Sequence, residues 1–397
     1  MAGRRRVPKH GVVVLCLLLT SLVACGGRPT ATDTARADVQ RVLDRRAAAV
    51  LDRDRAGIAE TGTASWFEDV SAVPLASWAY KVTGVHRTGA TATADAELRY
   101  RVQGYDQAPV TVARTLDLSL DAAGQWYVKD EKPAKKAPQQ LWDQGEVTVV
   151  RGRHSIVLGV GQSGERLHSF ADLADHAVPA VSDAWGTTWS RHVVVLVPRS
   201  LQGMAGLLGS PASSYRGIAA VTTGETGAPA QAPADRIIVN PDAYGLLGTL
   251  GRQVVLTHET THVATRADTT AATPLWLSEG YADWVGYRGT GRTPAEAAPE
   301  LEEAVSAGRV PANLPSDADF GFSGSASGLA MSYEGGWMAC RMIADRWGEA
   351  KLGEFYRAVG THEKRPGAVE EAMDKVLDTD LKTFTAAWQE YLRDQLD

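Results

Sequence analysis

Residues 258–262 read His258-Glu259-Thr260-Thr261-His262, and residues 276–282 read Trp276-Leu277-Ser278-Glu279-Gly280-Tyr281-Ala282. On a helix, positions four apart share a face, so the two imidazoles can converge on one metal ion. Glu279 stands seventeen positions beyond His262. Two His and one Glu form a donor set for catalytic zinc, which takes three protein ligands and keeps a fourth position for water. Glu259 lies on the adjacent face, placed to take a proton from that water. The pattern predicts a zinc-dependent hydrolase, with His258, His262 and Glu279 as metal ligands and Glu259 as general base.

A five-residue pattern of this kind also arises by chance, so the flanking sequence decides. Leu247, Leu250, Val254, His258 and His262 recur at spacings of three and four. This predicts a helix over 246–266 whose apolar, core-facing stripe continues into the ligands. Unpaired His and Glu facing a core are costly, a cost that a bound ion removes. Thr273 reads as an N-cap and Pro274 as a first-turn residue of a second helix running through Trp276 to about residue 288. Glu279 and Asp283 share a face of it, so Asp283 is expected to accept a hydrogen bond from the outer nitrogen of a ligating His.

With these residues in view, the chain resembles the gluzincin metallopeptidases, nearest to the aminopeptidase N catalytic domain and the shorter peptidase MA-like proteins. The resemblance covers about residues 146–397 and is specific at the two zinc helices. It implies the same ligands and base, and a Tyr from a Y-E-x-G segment that hydrogen-bonds the oxyanion. Tyr333-Glu334-Gly335-Gly336 matches that segment, opening a helix expected over 336–347. A hydroxyl donor beside a metal suits developing negative charge; the competing reading is an aromatic packed for its surface. Two features depart from the pattern. Only sixteen residues separate His262 from Glu279, and no G-x-M-E-N motif precedes them, so the resemblance does not imply exopeptidase action.

The amino terminus carries Arg4, Arg5, Arg6 and Lys9, then an apolar run over 11–24 of signal-peptide length. Leu22-Val23-Ala24-Cys25 looks like a bacterial lipobox. Cleavage before Cys25 would leave a cysteine carrying several acyl chains, a firm membrane anchor on the extracytoplasmic face; the competing reading is an ordinary secretory signal. Of three cysteines, Cys16 leaves with the signal and Cys25 takes lipid. Cys340 alone remains, so no intramolecular disulfide is expected and Cys340 reads as core. The formal charge of −6 becomes about −10 once the four basic signal residues leave. Without a basic stripe, nucleic acid is not an expected partner.

The fold class is expected to be α+β. Residues 25–36 read as a flexible tether. A helix over 38–54, with Val39, Val42, Leu43, Ala47, Val50 and Leu51 on one side, precedes strand-like runs at 77–85, 91–103, 109–120 and 125–129. One helix and a curled antiparallel sheet over 37–131 look like a cystatin-like or nuclear-transport-factor-like domain that spaces, docks or recognises a partner. A linker follows over 132–145. The remaining domain, 146–397, is expected to place a mixed sheet over the HExxH helix, followed by a helical subdomain. Its strands are expected at 148–150, 155–159, 192–198, 217–222 and 236–240, with a helix over 165–185 between them. Segment 217–222 is the candidate edge strand for pairing with an extended peptide. The Gly-, Ser- and Pro-rich stretch 289–330, with one short helix over 295–307, reads either as a gating lid or as a surface excursion. Closing helices are expected over 350–359, 367–377 and 381–396. The functional expectation is a membrane-anchored peptidase acting on peptide or protein. The competing one is a non-catalytic, lipid-anchored binding or assembly protein on the same scaffold.

Overall fold

The structure is a computed structural model that describes residues 31–224, 232–321 and 325–397. The expected signal peptide, Cys25 and the first part of the tether lie outside the described residues. The tether is shorter than expected, because residues 31–36 already belong to the first helix, α1 (Ala31–Leu51), and Arg36 donates to the Val82 carbonyl at 2.7 Å. Among the described residues, no helix is long and apolar enough to cross a membrane.

The chain is α+β, with a four-stranded antiparallel sheet and a five-stranded mixed sheet. Helix α1 and two short helices the sequence did not announce, α2 (Arg55–Thr61) and α3 (Phe67–Ser71), precede β1 (Leu75–Thr88), β2 (Thr91–Val102), β3 (Val110–Leu120) and β4 (Trp126–Pro133). These strands pair in sequence order, as hairpin connections favour. Strand β2 alternates between exposed or half-buried and buried residues along its whole length, the period-two pattern of a sheet with one face on a core. Helix α1 packs on that face with Val39, Val42, Leu43 and Val50. Leu51, expected there, is 41% exposed, whereas Arg46 is fully buried. Arg46 is tolerated because its guanidinium donates to the Thr63 carbonyl, lies over the Trp66 ring and faces Glu131 at 3.8 Å.

The second sheet runs in the order β5 (Val147–Arg151), β6 (Ser155–Val160), β7 (Val193–Val197), β9 (Arg236–Val239), β8 (Ala220–Thr223). The order puts β8 at one edge, antiparallel to β9; the edge strand is shorter than expected, since residues 217–219 precede it as turn and coil. Helix α4 (Gly164–Trp185) crosses from β6 to β7, which are parallel. The two faces of this sheet can be separated residue by residue. Val157, Val195 and Ile237 pack with α4, whereas Leu158, Leu196 and Ile238 pack with the N-terminal sheet. The N-terminal unit therefore shares a continuous core with the second sheet. The stretch 132–145 is correspondingly fixed. Gln140 accepts from the Tyr100 hydroxyl at 2.5 Å, and Arg114 makes a two-pronged contact with Asp143 at 2.8 and 2.9 Å.

Helices α5 (Leu201–Leu208) and α6 (Pro241–Leu246) lead to α7 (Thr249–Thr265), α8 (Leu275–Tyr287), α9 (Pro294–Ala297), α10 (Pro299–Ser306), α11 (Ala326–Trp347), α12 (Glu349–Gly360), α13 (Ala368–Ala372) and α14 (Leu381–Leu396). Several expected boundaries move. The helix expected from 246 starts at Thr249, because Leu247 is extended. The helix expected over 295–307 is broken at Ala298, ahead of Pro299. Ala297, Ala298, Leu301, Val305 and Phe320 are buried in the main helical core, so much of 289–330 is anchored. Cys340 and the aromatic side chains Phe355, Tyr356, Phe384, Trp388 and Tyr391 are buried in the same core.

Candidate metal centre

Helix α7 brings His258 and His262 onto one face, and α8 brings Glu279 against them. The two Nε2 atoms are 3.0 Å apart, and Glu279 Oε2 lies 3.2 Å from His258 Nε2 and 3.4 Å from His262 Nε2. These three residues form the one group of His, Cys, Asp or Glu among the described residues whose ligand atoms converge in this way. Donors about 2.0–2.1 Å from a tetrahedral zinc ion stand roughly 3.3 Å from one another, close to the observed spacings. The donor set therefore fits a zinc ion. The ligands do not continue the helix's deepest stripe, as the sequence suggested. Leu256, Thr260 and Ala264 are buried, and the side chains of His258, His262 and Glu279 keep 12 to 19% exposure. A metal site that must admit substrate needs that partial opening.

The electrostatics favour a cation. Burial opposes charge on His258, but Asp283 and Glu279 outweigh it and raise its pKa well above the ordinary imidazole value. Burial likewise works against the Glu279 carboxylate, yet His262 and His258 hold its pKa below the usual carboxylate range. Asp283 Oδ1 is 2.7 Å from His258 Nδ1, which leaves Nε2 of that ring for the cluster. Asp283→Asn is expected to weaken zinc binding by about 10–100-fold with the melting temperature little changed. Metal-buffered titration checks this, and an unchanged affinity would remove Asp283 from the site.

Glu259 shares α7 with the two His and lines the same cleft, about 570 Å³, as His258, Asp283 and Tyr333. Its Oε2 accepts a 2.6 Å hydrogen bond from the Thr222 hydroxyl on β8. Thr222 falls within the expected edge segment 217–222, but nothing in the sequence marks it as a partner of Glu259. Once β8 is known, strand alternation would place it on the α7 side, since it pairs with Ile237, whose side chain faces the helices.

Tyr333 lies inside α11, which begins nearly three turns earlier than expected; Ser325 caps it by accepting from the Gly328 amide at 3.0 Å. Its ring stands 6.5 Å from that of His258 and 5.1 Å from Phe320. Burial first, then Glu279, Asp283 and Glu259, push its hydroxyl pKa far above the ordinary value, so it remains a proton-bearing donor. Next to it, Glu334 turns away and accepts from the Leu301 amide at 2.7 Å, at the start of α10, with burial raising its pKa to about 8.

Helix α8 starts at Leu275, and Thr273 does not cap it. The Leu275 amide donates instead to Asp317 Oδ1 at 2.9 Å, while the Thr273 hydroxyl accepts from Thr270. Cys340 is buried, its thiol pKa raised by burial and by Asp283, and takes no part. His168 and His176 bond carbonyls of their own helix and stand apart from the centre. No protein-family model matches the chain and no curated protein is significantly similar to it, so any functional reading rests on this geometry.

Proposed function

We propose that the chain is a zinc-dependent peptidase working on the outer side of a cytoplasmic membrane, tethered through lipid on Cys25. The observation that carries the reading is the convergence of His258, His262 and Glu279 within 3.0–3.4 Å, with Glu259 on the same helix facing the same cleft. A zinc ion held there supplies a water of lowered pKa and polarises a carbonyl. Glu259 takes a proton at its carboxylate and returns it to the leaving amine. Tyr333 donates its hydroxyl to the oxygen that gains charge. Residues 217–220 form part of the cleft wall. They lead into β8, an edge strand that offers backbone groups to an extended peptide.

The test is zinc per chain in the protein from Arg28 onward, beside its His262→Ala variant, followed by digestion of a broad peptide library. About one equivalent in the parent and almost none in the variant is expected, with cleavage by the parent alone. Little zinc in the parent would overturn the metal site. Stoichiometric zinc without cleavage would favour the non-catalytic, lipid-anchored binding protein.

A further inference from the structure

A second cavity, about 750 Å³, lies between the two sheets and shares no lining residue with the cleft at the metal centre. Leu158, Leu196 and Ile238 are direct register partners across β6, β7 and β9, so they form one apolar row on the floor. Val102, Val112 and Trp142, from the N-terminal unit and its connection, line the same space. All six are themselves at least nine-tenths buried. The space is partly open to solvent. Ligand pockets have volumes of this order, with apolar walls and few polar groups.

We propose that this cavity binds an acyl chain. Its charged wall residues are Asp235 and Arg236, and both are already paired. Arg236 contacts Asp106 through two bonds of 2.8 Å, and Asp235 accepts from Arg266 at 2.9 Å. With no spare charge in the wall, the buried part of an occupant is uncharged. The largely aliphatic lining suits hydrocarbon better than a polar ring system. The cavity also adjoins the catalytic machinery through one strand. Thr223 lines it, while its neighbour Thr222 holds Glu259 from the other face of β8. Occupancy therefore bears on the strand that steadies the base.

The protein from Arg28 onward keeps every described residue and is titrated with cis-parinaric acid, a fluorescent fatty acid. Saturable binding near one per chain is expected. Displacement by palmitate alone identifies a free acid as the source, and displacement by a palmitoyl lysophospholipid alone identifies a membrane lipid. Leu207→Trp and Val110→Phe fill the cavity from half-buried positions and are expected to weaken binding on the order of tenfold or more, with melting temperature reporting their folding. Quenching of tryptophan emission by a dibrominated fatty acid, reduced in Trp142→Phe, reads the same site without filling it. Absence of saturable binding, or binding and quenching untouched in the folded variants, would overturn the proposal. Neither result depends on zinc or on peptide cleavage.

Discussion

Glu259→Gln leaves zinc bound and stops turnover. The expected loss in kcat is on the order of 10²–10⁴-fold, the usual contribution of a positioned general base. The substitution is nearly isosteric and touches none of the three ligand atoms, so zinc per chain stays at the parent's value. The Thr222 hydroxyl, 2.6 Å from Oε2 of the native side chain, can still donate to the amide oxygen of Gln. Local geometry is thereby preserved, and the change isolates proton transfer from positioning. What the amide cannot do is accept a proton near neutral pH. The check is a paired measurement: zinc by atomic absorption, and kcat on a peptide that the parent cleaves. Full zinc with undiminished kcat would remove Glu259 from the chemistry and the proposed mechanism with it.

The legible parts of the fold and site were those written in local spacing. The i, i+4 placement of His258 and His262 requires only that α7 be helical. Which face of that helix is deepest was not legible: Leu256, Thr260 and Ala264 are buried, whereas the apolar spacing marked Leu247, Leu250 and Val254. The β-branched run Val193–Val197 reads as a buried central strand and is buried at every position. What could not be read depends on groups far apart in the chain. The Leu275 amide finds its acceptor in Asp317, 42 residues away, so the local N-cap signal at Thr273 misled. Arg46 is fully buried on what the sequence marked as an apolar helix face, because Glu131 and the Thr63 carbonyl arrive from elsewhere. The link from Thr222 to Glu259 spans 37 residues and becomes visible only once sheet order is known. The N-terminal unit read as a separate domain because its helix and hairpins are locally complete. Its shared core with the second sheet is a matter of which residues of β6, β7 and β9 face which way, and only tertiary pairing supplies that.

Gly280→Ala should be among the most damaging single-methyl additions in the protein. Helices α8 and α11 cross with backbone against backbone. A Cβ at Gly280 would sit 2.3 Å from the Gly336 carbonyl oxygen, and one at Gly336 would sit 2.6 Å from the Trp276 carbonyl oxygen. This crossing accounts for the glycine after Glu279 and for the second glycine of Tyr333-Glu334-Gly335-Gly336. Ala favours helix over Gly by about 0.8–1 kcal/mol, so propensity alone would make the substitution stabilising. The collision outweighs that term. Carbon and oxygen need roughly 1 Å more separation than the crossing allows, no side-chain rotation can provide it, and overpacking of this kind costs about 1–3 kcal/mol or more. The opposite sign is expected for Gly251→Ala on α7, where the added Cβ meets its nearest neighbour, Leu247, at an ordinary 3.5 Å. There the helix preference acts unopposed. Because α8 carries Glu279 and α11 carries Tyr333, separating them moves a metal ligand and the hydroxyl donor together. Zinc affinity and kcat should therefore fall along with the melting temperature, kcat on the order of 10²-fold for a displacement near 1 Å. Thermal melts and zinc titrations of the two variants side by side decide the matter. Should Gly280→Ala melt as high as Gly251→Ala and bind zinc equally well, the two helices do not cross as closely as described, and the account of both motif glycines fails.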